Sequence, residues 1–463
     1  MAIKKQKQTS PKKQSTKLRL WHYLLLIVIP LAVFGRSVFF DFVMHDDDKM
    51  ILENTVIKEG FNPAIAFKTD AWFMDARIEL YRPWQSITYM IDYALGKESP
   101  MVYHVHNLLV FIAGVILLFF LLRFYFKPTL AWAGTLLYSV NLLTPHAAGW
   151  IAARGDLYLM LFGVGFIVLV QQYLKTNSNK FLWLSVPVFF LALLSKESAV
   201  ALLPIALVML YAERKKLPSG IEWVWMGING LLFAIYFAMR SSAIADAGNL
   251  SILAFFRNLR SLPEEVFKMI VPLGYSVMPG YSMWWTLGGL ILLGMLGYLQ
   301  WKYKPDPKVA LIGAVLLLAP LLPSMAYEPS FAGVAYDYLD HRSWFPFIGL
   351  WLIILAVVDK SKLATQTIAP VVFAGILVLW SSINFWRIGT YDGWEFPVPL
   401  LIDIQHGKAD IRQVAIDILG LTKLNYNACR VGDASPVTVG FSNAVGEILI
   451  SNPEIPIRRS SFK

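Results

Sequence analysis

Carboxylates, cations and histidines that could together carry out a group transfer recur in short clusters between apolar runs. His45, Asp46, Asp47 and Asp48 stand consecutively, and Tyr81, Arg82, Pro83 and Trp84 follow. Tyr103, His104, Val105, His106 and Asn107 form a third cluster. A fourth runs from His146 through Trp150 and Arg154 to Asp156, and Lys196–Glu197 and Asp340–His341–Arg342 complete the set. Five of the seven histidines lie in these clusters. A carboxylate such as Asp46 or Asp47 suits removal of a proton from an attacking hydroxyl. Arg82, Arg154, Lys196 and Arg342 suit an anionic substrate, and arginine adds bidentate geometry. Each cluster alone also has a plain structural reading. An acidic run is more often a solvated loop, and Arg82 or Arg154 can snorkel at a membrane edge. Lys196–Glu197 can be a local ion pair, and the Trp and Tyr residues can form an interfacial belt.

The elements between the clusters belong to a membrane. Hydrophobic residues make up 57% of the 463 and charged residues only 16%, with a mean hydropathy of +0.54. A soluble domain carries about 25% charged residues. Apolar runs such as Leu108–Leu122, Leu157–Val170, Leu287–Leu299 and Leu311–Leu322 reach spanning length once short polar ends are added. The net charge of +10 does not point to nucleic acid. Residues 1–19 hold seven bases and no acid, a basic flank before the first apolar run that also favours anionic lipid. That run, Leu20 to Phe34, reads as an uncleaved anchor. Cys429 is the only cysteine, which excludes an intrachain disulfide and a cysteine-based metal site.

Placing the N-terminus in the cytoplasm predicts an all-α polytopic bundle of about eleven spanning helices, within a range of ten to thirteen. The segments are 20–40, 104–126, 129–144, 156–174, 181–194, 198–212, 221–239, 283–300, 308–324, 343–358 and 366–386. The inner connections are then rich in Lys and Arg, while the large first outer loop, 41–103, holds eleven acids and six bases. All the clusters above fall on the outer side. Co-localisation is what favours one shared site over six separate structural accidents, since ionisable residues near membrane depth are costly. Residues 181–212 read as a hairpin turning at Ser195–Ser198 beside a polar cavity. Residues 250–280 read as a partly buried segment that does not cross. Within the first loop, 51–67 and 88–95 read as amphipathic helices at the interface. The division is a basic tail 1–19, a transmembrane domain 20–387 and a small extracytoplasmic segment 388–463. Strands are expected in that segment at 437–440 and 447–450, with a helix at 409–421.

At these residues the sequence resembles the GT-C-type transmembrane O-mannosyltransferases that modify cadherins, and their bacterial relatives that lack tetratricopeptide repeats. Phe42–Val43, His45–Asp46–Asp47, Ile51 and Asn54 fit the family's opening motif, F-V-x-[WH]-D-D-x-x-x-I-x-x-N. The fit continues in order through Tyr81–Arg82–Pro83, Tyr103–His104 with Asn107, the His146–Asp156 turn, Ser195–Lys196–Glu197, Arg342–Ser343–Trp344 and Tyr391–Glu395. Two departures stand out: Pro145 precedes His146 where the family has proline after it, and Ala148 or Gly149 replaces a common Glu.

The resemblance implies an inverting glycosyltransferase that moves a sugar from a polyprenyl-phosphate donor to a hydroxyl of a protein, glycan or lipid on the extracytoplasmic face of the plasma membrane. Asp46 or Asp47 would be the catalytic base, with the other orienting it. Arg82, Arg154, Lys196 and Arg342 would meet the donor phosphate. Asn54, Tyr81, His104, His106, His146, Trp150, Asp156 and Glu197 would support them. A divalent magnesium or manganese ion on Asp47, His104 and His106 is a lesser expectation. A ligase or polymerase of lipid-linked glycans would use similar charges, and a transporter or flippase of lipid-linked sugars is the rival from another class. Transporters often show paired halves, and none is visible here.

Overall fold

The computed structural model describes residues 18–43, 46–71, 80–214, 220–244, 251–271, 282–326, 340–363 and 366–392, and strand segments between 438 and 460. Eleven helices stand where the hydropathy pattern places them. They are α1 (Leu20–Phe34), then, after α2 (Thr55–Lys58) and α3 (Pro83–Gly96), α4 (Pro100–Tyr125) and α5 (Pro128–Ser139). After the short α6 (Thr144–Gly149) come α7 (Arg154–Thr176), α8 (Asn179–Ser195), α9 (Leu202–Arg214) and α10 (Ile221–Ala243). After α11 (Ile252–Asn258) and α12 (Leu262–Ile270) come α13 (Met283–Tyr303), α14 (Pro307–Leu321), α15 (Phe347–Ser361) and α16 (Ala369–Arg387). Seven of the described helices are long and apolar enough to cross a membrane, three of them counted with flanking 3-10 turns. The other four expected crossings, α5, α8, α9 and α15, are helices of 12 to 17 residues.

Local chemistry explains the boundaries. Proline opens α3, α4, α5 and α14, where its missing N–H has no intrahelical partner to lose. Left-handed residues close α7 at Asn177, α13 at Lys304 and α15 at Lys362. Helix α7 packs between α4 and α8, and α14 packs along α9 and α15. Outward-facing apolar side chains such as Leu231, Leu290 and Val371 are exposed, as a lipid-facing surface requires. The membrane part of the protein is a multi-pass helical bundle.

Two helices meet through glycine. At the α14–α15 crossing, a Cβ on Gly349 would overlap the Gly313 carbonyl and the Leu317 amide. Small residues let membrane helices approach to backbone contact. Gly349→Val should therefore destabilise the bundle by at least about 1–3 kcal/mol, the usual range for overpacking. Thermal denaturation in detergent checks this, and an unchanged Tm would refute the close packing.

Several expectations need correction or extension. Residues 51–67 do not form one amphipathic helix. A π-helical turn covers Asp48–Leu52, α2 follows, and a 3-10 turn covers Ile65–Phe67. Gly60, at φ +136°, and Pro63 interrupt the run. Helix α3 is longer than the expected 88–95. The described part of residues 250–280 contains α11 and α12, joined by a 3-10 turn at Leu259–Ser261, and holds none of the seven long apolar helices. The Ser195–Ser198 turn is present, with a 3-10 turn at Glu197–Ala201 between α8 and α9. Strands β1 (Thr438–Ser442) and β2 (Glu447–Asn452) overlap the two expected. An unanticipated β3 (Ile455–Ser460) completes an antiparallel sheet of order β1-β2-β3. The expected helix at 409–421, the basic residues 1–17 and His45 lie outside the described residues.

Candidate functional site

The Asp46–Asp47 pair divides into two different environments. Asp47 is fully buried and accepts two backbone N–H bonds, from Val43 and from Ala152, each at 3.0 Å. The second donor lies 105 residues away, so Asp47 ties the first loop to the turn before α7. Burial pushes the Asp47 carboxyl well above its usual range, the two N–H bonds oppose the shift, and the neighbouring Asp46 charge adds to it. Asp46 is half-buried, with φ at +68°. Its carbonyl accepts the Met50 N–H at 2.7 Å, at the start of the π-helical turn. Left-handed backbone outside glycine and π-turns both concentrate at working sites.

The turn before α7 is held from below by α3. The Ala152 peptide gives its N–H to Asp47, and its carbonyl accepts from Gln85 Nε2 at 3.0 Å. Gln85 also bonds Tyr89, whose hydroxyl donates to the Ile151 carbonyl. Three residues on, Gly155 lets the segments close. A Cβ there would stand 2.8 Å from Gln85 Oε1, 3.1 Å from the Ser195 carbonyl and 3.6 Å from Arg82 Nη1. One contact chain thus joins the acidic pair to Arg82 and to the α8–α9 turn.

Around that turn the charges interlock. Arg82 clasps Glu197 in a bidentate pair, Nε to Oε2 at 3.0 Å and Nη2 to Oε1 at 2.8 Å. Lys196 Nζ meets Asp156 Oδ1 at 2.5 Å, with both side chains buried. Burial holds the Lys196 amine below its usual value. Asp156 opposes this, while the Arg82 charge, and more weakly that of Arg342, add to it. Burial would raise the Glu197 carboxyl, but Arg82 and then Lys196 overcome it and hold it well below the carboxylate range. With 36% of its side chain exposed, Glu197 keeps solvent contact that screens part of this pairing. Arg342 is half-buried on the 3-10 turn Asp340–Ser343. Arg82, Lys196 and Arg342, expected at the donor phosphate, are therefore close enough for the charges of Arg82 and Arg342 to act on Lys196.

Arg154 departs from that expectation. It is fully buried and meets Asp92 Oδ2 at 2.5 Å, Asn107 Oδ1 at 2.7 Å, Thr88 Oγ1 at 3.2 Å and the Tyr103 carbonyl at 3.1 Å. The Tyr89 ring lies 4.4 Å from its guanidinium carbon. So enclosed, it has no surface for a lipid-borne phosphate. Gln85, Thr88, Tyr89 and Asp92, which hold this network, were not singled out from the sequence. Their spacing at i, i+3, i+4 and i+7 along α3 was the available signal.

The supporting residues are structural neighbours of the site. Asn54 caps α2, accepting from Ile57 N at 3.1 Å and donating to the Met50 carbonyl at 3.2 Å. Tyr81 donates to the Phe67 carbonyl, and its own carbonyl accepts from Tyr236 of α10. His146 meets the Tyr391 hydroxyl at 2.6 Å and the edge of Trp150. The three residues expected to share a metal ion do not converge. His106 sits between Asp92 at 2.6 Å and the Tyr158 hydroxyl at 2.7 Å, His104 is buried edge-on to Phe40, and Asp47 serves backbone N–H groups. Among the described residues no group of three His, Cys, Asp or Glu side chains is arranged to hold a metal.

Protein O-mannosyl-transferase TMTC3 of Homo sapiens is 23% identical over 399 residues, covering 74% of this chain and 43% of that protein. A protein O-mannosyl-transferase of Caenorhabditis elegans is 26% identical over 207 residues, 43% of this chain and 29% of the relative. The chain spans less than half the length of these curated relatives. No family model matches it. Among solved structures, an oligosaccharyltransferase of Archaeoglobus fulgidus tethered with an acceptor peptide aligns over 81% of this chain and 56% of its own. The TM-score is 0.47 and the identity 14%. The chain is similar to the transmembrane O-mannosyl-transferases.

Proposed function

We propose that this chain is a GT-C-like, inverting glycosyltransferase that moves a sugar from a polyprenyl monophosphate to a hydroxyl acceptor at the extracytoplasmic face of the membrane. The convergence of Arg82, Lys196 and Arg342 from three remote segments, beside the Asp46–Asp47 pair, carries this reading.

Asp46 takes the proton as the acceptor oxygen attacks the anomeric carbon, and Asp47 fixes its backbone from behind. The bond from that carbon to the phosphate oxygen breaks, and the departing phosphate gains one negative charge. Fixed cations in a dry site stabilise that charge most when they need not reorganise. The Arg82–Glu197 and Lys196–Asp156 pairs supply this preorganisation. No general acid is needed, since phosphate leaves readily. Arg154 serves the scaffold and takes no step, and no step passes through a metal. The relatives' names make mannose the first sugar to try.

The test uses the full chain in vesicles with labelled polyprenyl-phosphate mannose and a panel of hydroxyl acceptors. Transfer of label to an acceptor is expected. Arg342→Gln should raise the donor KM about tenfold, the loss of one charge-assisted hydrogen bond of about 1.5–3 kcal/mol. Label that crosses the bilayer without transfer would instead identify a flippase and end the proposal.

A further inference from the structure

Helix α12 carries three buried charges that the transfer chemistry does not use. Glu264 and Glu265 are fully buried and Lys268 is 3% exposed. Glu264 accepts the Ser282 N–H at 3.1 Å and lies 3.2 Å from Lys268 Nζ, while Lys268 sits 4.9 Å from the Trp285 ring. These contacts tie α12 to the start of α13. The tie is close: a Cβ at Gly289 would overlap the Pro263 carbonyl, and one at Gly288 would overlap the Phe267 ring. Helix α12 is thus keyed to a spanning helix through two glycines and a pair of charges.

Its next residue points elsewhere. Glu265 Oε2 accepts the Ser343 hydroxyl at 3.1 Å. Ser343 ends the four-residue turn that bears Arg342. So short a turn has few hydrogen bonds of its own, and tertiary bonds set its place. One comes from Tyr138, whose hydroxyl donates to the Trp344 carbonyl at 2.6 Å. Glu265 supplies another, adjacent to the arginine itself.

We infer that Glu265, acting through Ser343, positions Arg342 for the donor phosphate, an inference that rests on the transfer reading above. Glu265 is a positioning residue: it fixes the turn and does not touch the donor. A buried carboxylate accepting a hydroxyl proton holds that turn more firmly than a neutral amide would. The α11–α12 segment thereby gains a function besides filling space beside the bundle.

Binding of labelled polyprenyl-phosphate mannose to the full chain in vesicles tests this without knowledge of the acceptor. Glu265→Gln should weaken donor binding about tenfold, and Ser343→Ala about fivefold, the scale of one charged hydrogen bond. Glu265→Asp should recover most of the loss. In an Arg342→Gln background, Glu265→Gln should change binding by less than about twofold, because residues acting through one another are not additive. A purely structural role would give the same loss with or without Arg342, and that result would overturn the inference. Unchanged binding in both Glu265→Gln and Ser343→Ala would do the same. If the wild-type chain binds the donor, failure of these variants defeats the inference alone. If it does not, the functional reading falls as well.

Discussion

Asp46→Asn should lower transfer by about 10²–10⁴-fold, the usual contribution of a positioned general base, while leaving donor binding within about twofold and Tm unchanged. Asparagine tolerates the left-handed backbone at φ +68° as well as aspartate does. The loop should therefore keep its shape and lose only the capacity to take a proton. Asp47→Asn should behave differently. Its two carboxylate oxygens serve two backbone donors, and an amide offers one acceptor oxygen, so one buried N–H would lose its partner. An unsatisfied buried donor costs about 1–3 kcal/mol. This variant should lose both stability and activity. Parallel measurements of transfer rate, donor binding and Tm separate the two carboxylates. Activity of Asp46→Asn within about tenfold of wild type would remove Asp46 from the role of base.

This division of labour shows where sequence reading stops. The Asp46–Asp47 pair, Arg82, Lys196 and Arg342 were legible as types of residue in a suggestive order, because charge is conspicuous in an apolar chain. Which aspartate is buried against backbone N–H groups was not legible. It depends on the Ala152 amide, more than a hundred residues away, meeting Asp47. The eleven main helices were legible because length and hydropathy are local properties. The first loop was less so, since Gly60 and Pro63 break a run whose composition alone suggested one helix. Glu265 was passed over for a related reason. In sequence it is one charge among several in a segment too polar to span, and only its contact with Ser343 links it to Arg342.

Arg154 provides the largest expected effect on folding. Its sequence context, a charge entering an apolar helix, invites a role in binding an anion. Its surroundings assign it to the scaffold. Asp92 and Thr88 of α3, Asn107 and the Tyr103 carbonyl of α4, and the Tyr89 ring enclose it completely. Arg154→Met should therefore leave the buried Asp92 without its principal counter-charge, with only His106 beside it. Breaking a buried pair on one side costs about 3–5 kcal/mol, whereas replacing both partners by apolar groups is often neutral. Arg154→Met alone should fail to yield folded protein or show a greatly lowered Tm. The double variant Arg154→Met, Asp92→Leu should recover at least about half of that loss, with donor binding close to wild type wherever it folds. A direct phosphate contact makes the opposite forecast: the double variant would fold and still bind donor no better than background. Size exclusion in detergent, Tm and donor binding on the same preparations distinguish the two. If Arg154 is the keystone of the α3–α4–α7 junction, its influence on transfer passes wholly through the fold, and the positive charge that meets the donor comes from Arg82, Lys196 and Arg342.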